Sequence, residues 1–278
     1  MREEWVDRSH RPFVSGDRAW VPVREGYAAD ADLPERKPYS GRGYQMIGDI
    51  AVVHGAPPSK EEITALVHWK NPRAVVHCAG VRGEQRFPEC RLLYGEAGEV
   101  CHRELGMTYW LDPTQVMFSM GNREEKRRMH AIISRSAKGA RVADMFAGIG
   151  YFTIPAARAG ARVHAIELNP IAFAYLQRNI AANGVHTRVT ASLGDCRHHL
   201  NGIYDRFIMG HFDAARALPD ALLHARSGST FHVHSIAPQR ESIEHTIVEA
   251  GYTCAIKEVR VKKYSPGKVH RVYDVVVA

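Results

Sequence analysis

From Arg141 onward, short apolar runs alternate with stretches of helical period: RVADMF, YFTIPAARAG, ARVHAIE, PIAFAYLQRNIAANG, RVTASLGD, YDRFIMG, PDALLHARSG, STFHVHSI and PQRESIEHTIVEAG. Strands separated by helices of that length require crossover connections, and crossovers place helices on both faces of a parallel sheet. The last two runs, YTCAIKEVRVKKY and VHRVYDVVVA, are joined only by Ser265-Pro266-Gly267 and so make an antiparallel hairpin at the sheet edge. The expected fold is therefore α/β, a mostly parallel sheet with an antiparallel C-terminal hairpin.

The upstream chain follows another pattern. Residues 1–40 are spotted with aromatics and rich in Arg, Pro and Gly, with no clean period, and read as an arm. After them, one strand is expected from Met46 to His54, then a Gly/Pro turn and a helix opened by Ser59 with carboxylates in its first turn. AVVHCAG is a second strand, polar turns follow around Gly83 and from Gly95 to Gly98, and ELGMTYWLDPTQVMF reads as a hairpin-like pair. NREEKRRMHAIISRSA is a helix ended by Lys138-Gly139. The division is an arm (1–40), a small α+β module (41–134) and a larger domain (135–278).

Composition narrows the classes. With 278 residues, 45% hydrophobic and 24% charged, the chain excludes disorder, collagen and coiled coil, and no long repeat suggests a solenoid. The five cysteines, Cys78, Cys90, Cys101, Cys196 and Cys254, are odd in number and lack a CxxC pair, so neither a disulfide framework nor a thiolate zinc site is expected. That usage suits a reducing compartment. MREEWVDRSHR lacks the apolar core of a signal peptide and no run of about 18 apolar residues occurs, so a cytoplasmic protein without membrane attachment is expected. The net charge of +7 suits nucleic acid, acidic metabolites or mere solubility.

The chemistry concentrates in VADMFAGIGYFTIPAA. Asp144 ends a strand, and Gly148 and Gly150 let backbone approach a ligand closely. A nicotinamide fingerprint would place a third glycine at Thr153, and its absence argues against a pyrophosphate on the helix start. Glu167 ends the next strand, where a carboxylate can accept from both hydroxyls of a ribose. Asp195 follows the third, placed to accept from an adenine amine, with the Cys196 amide donating to a ring nitrogen. Three acids at successive strand ends beside a glycine turn suit a ligand without phosphates that carries positive charge: S-adenosylmethionine (SAM).

DMFAGIGYFTIP and AIELNPIAFAYLQRNIAANGV, with LDPTQVMFSMGNREEKRRM before them and KKYSPGKVH at the end, resemble the archaeal-type wybutosine-synthesising tRNA aminocarboxypropyltransferases, relatives of the tRNA guanine-N1 methyltransferases. The likeness is strong from about Arg103 to Val277. It implies a class I SAM-dependent methyltransferase-like, Rossmann-like sheet. It also implies transfer of the 3-amino-3-carboxypropyl group of SAM to a ring carbon of a tricyclic guanine derivative beside the anticodon of phenylalanine tRNA, without a metal. No obligate protein partner is expected. By the same likeness Ser119, Lys126, Glu167, Asp195 and Cys196 are cofactor contacts. Lys126 departs from the family's arginine, supplying the charge but not the guanidinium fork. Guanine-N1 methylation is the alternative. The run Met209-Gly210-His211-Phe212 lacks the proline motif frequent in base methyltransferases, which favours aminocarboxypropyl transfer. His211, His232 and His234 fall near strand ends and are candidates for the surroundings of the base, with the proton acceptor left unassigned between these histidines and water.

For tRNA, basic residues gather in two places: Arg123, Arg127 and Arg128 on the predicted helix, and Lys262, Lys263 and Lys268 in the final hairpin. Tyr264 and Tyr273 interleave with the latter, offering stacking or edge packing. If these residues grip phosphate, tRNA affinity measured by filter binding falls with log[salt] at a slope of about −0.7 to −0.9 per phosphate contacted. A salt-independent affinity would remove the basic patch from the interface.

Overall fold

A computed structural model describes residues 4–9, 12–15, 18–31, 39–136, 139–265 and 267–278, and the chain divides into two compact units, Met1–Ser40 and Gly41–Ala278. In the first, β1 (Phe13–Ser15) pairs antiparallel with β2 (Arg18–Trp20), and Val6 bridges Val23. Lys138 and Pro266, expected to end a helix and to turn the last hairpin, lie outside the described residues.

In the second unit the strand expected from Met46 to His54 is instead a hairpin of β3 (Gln45–Ile47) and β4 (Ile50–His54). Gly48 turns the chain at φ 58°, and a β-carbon there would lie 2.7 Å from Val100 Cβ, so the position needs glycine for its conformation and for space. Helix α1 (Lys60–Lys70) opens with a capping box: Glu62 N donates to Ser59 Oγ (3.2 Å) and Ser59 N to Glu62 Oε2 (2.8 Å). It carries the chain to β5 (Ala74–Arg82), parallel to β4.

β6 (Phe87–Gly95), antiparallel to β5, occupies part of the stretch expected to be polar turns. None of its side chains is fully buried, so this edge strand carries too little apolar signal to be read as one. The expectation of no disulfide is also corrected. Cys78 and Cys90 are bonded across this pair, because the register sets residues 12 apart in sequence directly opposite each other. β7 (Val100–Glu104) and β8 (Met107–Leu111) form the expected hairpin, and α2 (Arg123–Ser136) follows.

The remaining elements are β9 (Arg141–Asp144), α3 (Thr153–Arg158), β10 (Arg162–Glu167), α4 (Pro170–Ala182), β11 (Val189–Leu193), α5 (Cys196–His199), β12 (Arg206–Met209), α6 (Leu218–Leu222), β13 (Thr230–Ser235), α7 (Arg240–Glu249), β14 (Cys254–Ser265) and β15 (Lys268–Val277). They build one seven-stranded sheet in the order β11-β10-β9-β12-β13-β15-β14, parallel except for β15. The expected hairpin is present, but its second strand inserts beside β13 and only β14 forms the edge. Central strands are buried on both faces, as a doubly covered sheet requires. On β12, Phe207 and Met209 join Cys196, Leu222, Ile243 and Ile247 from α5, α6 and α7, whereas Ile208 joins Met129, Ile133, Ala156, Leu176 and Ile180 from α2, α3 and α4. A third cluster links the small module to the larger sheet domain, with Val76, Tyr109, Leu111 and Phe118 packed in the same group as Ile149, Ile154 and Ala172.

Polar bonds reinforce that junction. One edge of β8 pairs with β7, and two asparagines of α4 and its C-cap take the place of a strand on the other. Asn179 accepts from Trp110 N (2.6 Å) and donates to Trp110 O (3.1 Å) and Ile149 O (3.0 Å). Asn183 accepts from Thr108 N (3.0 Å) and donates to Thr108 O (2.7 Å). Thr108 and Trp110 alternate along the strand, so both present their backbone groups to the same edge. Replacing Asn179 by Ala strands three backbone groups in a buried place and should lower stability by about 3 kcal/mol or more, read from urea unfolding. A loss below about 0.5 kcal/mol would mean that the bonds contribute nothing net.

Candidate active site

The sheet order reverses at β9, whose neighbours β10 and β12 are reached by crossovers running opposite ways, and ligands of open α/β sheets bind at the carboxyl ends beside such a point. A cavity of about 720 Å³ opens there. Its walls come from the strand ends, the tip of the β5–β6 hairpin (residues 83–86) and the segment from Val116 to Asn122. Of the sequence-predicted cofactor residues, Ser119, Gly148, Glu167, Asp195 and Cys196 line it, and Asp144 and Lys126 do not.

Gly148 adopts φ 55°, which turns its amide onto Glu167: Gly148 N donates to Oε2 at 2.7 Å and Asn169 N to Oε1 at 2.8 Å. Burial nevertheless pushes the Glu167 carboxyl above its ordinary value. Asn169 caps α4, accepting from Ile171 N (2.9 Å), and its amide donates to Gln85 O (3.0 Å), which ties the hairpin tip to the cavity wall. Asp195 caps α5 by accepting from Arg197 N (2.9 Å), and the Arg197 guanidinium against it holds its carboxyl at about 2. Burial raises the Cys196 thiol to about 12, so the side chain stays neutral and its backbone amide is the group able to bind.

Two expectations are corrected. Asp144 is fully buried below the glycine turn and accepts from Thr153 Oγ1 at 2.6 Å, so the residue standing where a third glycine was sought closes the turn instead. Lys126 is also fully buried: its Nζ lies 2.5 Å from Glu104 Oε2 and 4.8, 5.1 and 5.5 Å from the ring centres of Phe118, Tyr151 and Tyr109. The acid and the three rings occupy the ammonium, leaving it no face toward the cavity.

The basic residues divide as well. Arg123, Lys263 and Lys268 are exposed, and Arg127 is exposed in a surface pair with Glu124 (2.9 Å). Arg128 is corrected: its guanidinium bonds Glu125 (2.7 Å) and Asp274 (3.0 Å), which neutralise it. Lys262 is half-buried against Gly121, and burial lowers its pKa. Tyr264 is exposed and meets Phe212 edge-on at 5.0 Å, whereas Tyr273 is buried and unable to stack on a base. Of the three candidate histidines only His211 lines the cavity, stacked on Phe146 at 5.4 Å and accepting from Asp213 N (3.1 Å). His232 is buried on Asp274 (2.5 Å) and His234 on His270 (2.9 Å). Among the described residues no three His, Cys, Asp or Glu side chains gather to hold a metal ion, and no helix is long and apolar enough to cross a membrane.

Sequence reasoning missed Phe146, Arg86, Met117, Asn122 and Phe212, all of which line the cavity. Phe146, Met117, Asn122 and Phe212 stand inside runs already singled out but were given no role there, and Arg86 stands in none. Arg86 in particular arrives from a hairpin more than 30 residues upstream of the segment it touches at Met117.

Comparison with known proteins agrees with this geometry. The TRM5/TYW2 methyltransferase domain family matches residues 100–262, more than half of the chain. The chain belongs to that family. It is 36% identical over 247 residues to the tRNA(Phe) (4-demethylwyosine(37)-C(7)) aminocarboxypropyltransferase of Methanocaldococcus jannaschii, covering 84% of this chain and 97% of that one. Among solved structures, Pyrococcus horikoshii TYW2 in complex with MeSAdo matches with TM-score 0.72 at 30% identity, over 85% of this chain and 91% of that one. Trm5b from Pyrococcus abyssi matches with TM-score 0.77 at 28% identity, over 98% and 92%. The fold is thus the SAM-dependent methyltransferase-like one, and the cavity fits that cofactor: Gly148 leaves no side chain at the strand end, Glu167 faces in from β10 and Asp195 from beyond β11.

The Asp144 carboxyl supports this family's glycine turn from beneath, and burial raises it from 3.8 to about 7. Its neutral form is the one the fold favours. That contribution to stability is complete below about pH 4 and is lost as pH rises through about 7. Asn at this position keeps an acceptor for Thr153 without the charge. Asp144→Asn should therefore narrow or reverse its stability deficit between about pH 5 and about pH 8, measured as urea midpoints. Parallel pH profiles for the two proteins would overturn the assignment.

Proposed function

We propose that this protein transfers the 3-amino-3-carboxypropyl group of SAM to C7 of 4-demethylwyosine in tRNA(Phe). The observation that carries the reading is the 36% identity, spanning 97% of its length, to an archaeal enzyme named for that activity. The cavity at the switch point supports it. Glu167 accepts from the ribose hydroxyls, Asp195 and the Cys196 amide bind the adenine edge, and Gly148 lets the turn approach the sulfur-bearing chain. Ser119 closes the pocket from the opposite wall.

SAM supplies an electrophilic carbon already activated by its positive sulfur. The protein's task is positioning, to turn one of three sulfur-bound carbons toward the nucleophile and to hold it in line. His211 beside Phe146 walls the side of the cavity next to β12; its imidazole is held neutral by burial and its Nδ1 accepts from Asp213 N, so Nε2 carries the hydrogen and is a donor to the base at that end. Exposed Arg123, Lys263 and Lys268 meet phosphate, and Tyr264 offers a face for stacking. The substrate arm is the anticodon region of the tRNA, and the enzyme works in the cytoplasm without an obligate protein partner.

A second reading, methyl transfer to guanine N1 in the manner of the related tRNA methyltransferases, is favoured by one observation: the Trm5b structure aligns over 98% of this chain, against 85% for TYW2. The by-product separates the two. Incubation with SAM and tRNA(Phe) carrying 4-demethylwyosine should release methylthioadenosine, detected by mass spectrometry. Release of S-adenosylhomocysteine from tRNA(Phe) with unmodified guanine at position 37, with no methylthioadenosine from the tricyclic substrate, would establish the second reading and overturn the first.

A further inference from the structure

The removal of Lys126 from the cavity leaves open what holds the charged end of the cofactor. We propose that Arg86 and Asn122 together form the site for the α-amino-acid end of SAM, Arg86 binding the carboxylate and Asn122 the ammonium. The proposal rests on the SAM reading of the cavity and says which residues of this chain recognise the part of SAM that is transferred.

Arg86 sits at the tip of the β5–β6 hairpin with φ 54°, a left-handed conformation uncommon for a residue with a side chain, and its amide donates to Gly83 O at 3.1 Å. From there its side chain reaches inward. Nη2 lies 3.3 Å from Met117 Sδ and the guanidinium 5.5 Å from the centre of the Phe212 ring, and both of those residues line the cavity. Its Nε is buried without a hydrogen-bond partner, and no carboxylate among the described residues is close enough to pair with it. Burial lowers its pKa accordingly. A guanidinium partly removed from water and given only a thioether and a ring face still lacks an anion.

Asn122 supplies the complementary group. It closes the short turn that follows Ser119, lines the same cavity, and its Oδ1 is buried without a donor. An unfilled donor and an unfilled acceptor in one cavity match a zwitterion, which needs a fork for its carboxylate and an oxygen for its ammonium. Their place along the sheet agrees. The adenine and ribose residues stand at the ends of β11 and β10, and Phe212, beneath Arg86, follows β12. From β11 to β12 there are three strand spacings, about 14 Å, which runs the long axis of the cofactor from Asp195 toward Arg86.

Binding assays test this without turnover. SAM, decarboxylated SAM (no carboxylate) and methylthioadenosine (neither carboxylate nor ammonium) are titrated into wild type, Arg86→Gln, Arg86→Lys and Asn122→Ala. Arg86→Gln should weaken SAM by about 10- to 100-fold while leaving decarboxylated SAM and methylthioadenosine unchanged. Arg86→Lys should fall between, keeping charge without the fork. Asn122→Ala should weaken SAM and decarboxylated SAM alike and spare methylthioadenosine. Equal loss of all three ligands in Arg86→Gln would make the residue structural and overturn the proposal. Unchanged SAM binding with a raised KM for tRNA would assign Arg86 to a phosphate and overturn it too. Wild type that binds neither SAM nor methylthioadenosine would instead overturn the cofactor reading beneath it.

Discussion

Everything at the cavity depends on how the free edge of β8 is satisfied. A two-stranded ribbon packed against a helix leaves one row of backbone N–H and C=O groups facing away from its partner strand, and buried groups of that kind must be paired. Asn179 and Asn183 pair them with side-chain amides, each amide offering a donor and an acceptor to one residue, as a neighbouring strand would. At the other end of the same helix Asn169 caps the first turn and reaches Gln85 of the hairpin tip. One helix of the SAM-binding sheet thus grips the small module at both ends. This places Arg86 and the Val116–Asn122 segment over the carboxyl ends of the strands.

The buried Lys126–Glu104 pair belongs to the same junction. An ion pair withdrawn from water is expensive unless other groups replace its solvation. Here Phe118, Tyr109 and Tyr151 surround the ammonium with ring faces, and the Tyr151 hydroxyl bonds Met117 O. Those rings come from the small module, the linking segment and the glycine turn, so the lysine fastens three parts of the chain at one point. A compact ammonium with three donors fits a cage of rings and one acid. The planar guanidinium of Arg86 also meets the Met117 segment, through the thioether of Met117.

Much of this was legible in the sequence, for identifiable reasons. The order of strands and helices after Arg141 follows from period alone, and Glu167 and Asp195, which line the cavity, were singled out because strand ends beside a glycine turn leave few roles for an acid. The failures have reasons as well. Asp144 carries the same residue type in the same local setting as Glu167, but its partner Thr153 is nine residues on and closes over it. Arg128 and Lys262 look like free cations in one dimension, yet Asp274 neutralises the first and Gly121 lets the second pack down. Cys78 and Cys90 are an unremarkable pair until the β5–β6 register sets them opposite each other.

The sequence by itself determined the fold class and the acids at successive strand ends, because periodicity and strand-end chemistry are local properties. Only the tertiary structure decided which charges are free. Lys126 is caged, Arg128 paired and Arg86 left without an anion by neighbours that lie between 3 and 146 residues away along the chain. A side chain's charge is written in its residue type, but whether that charge is available depends on desolvation and pairing, and both are set by what folds against it.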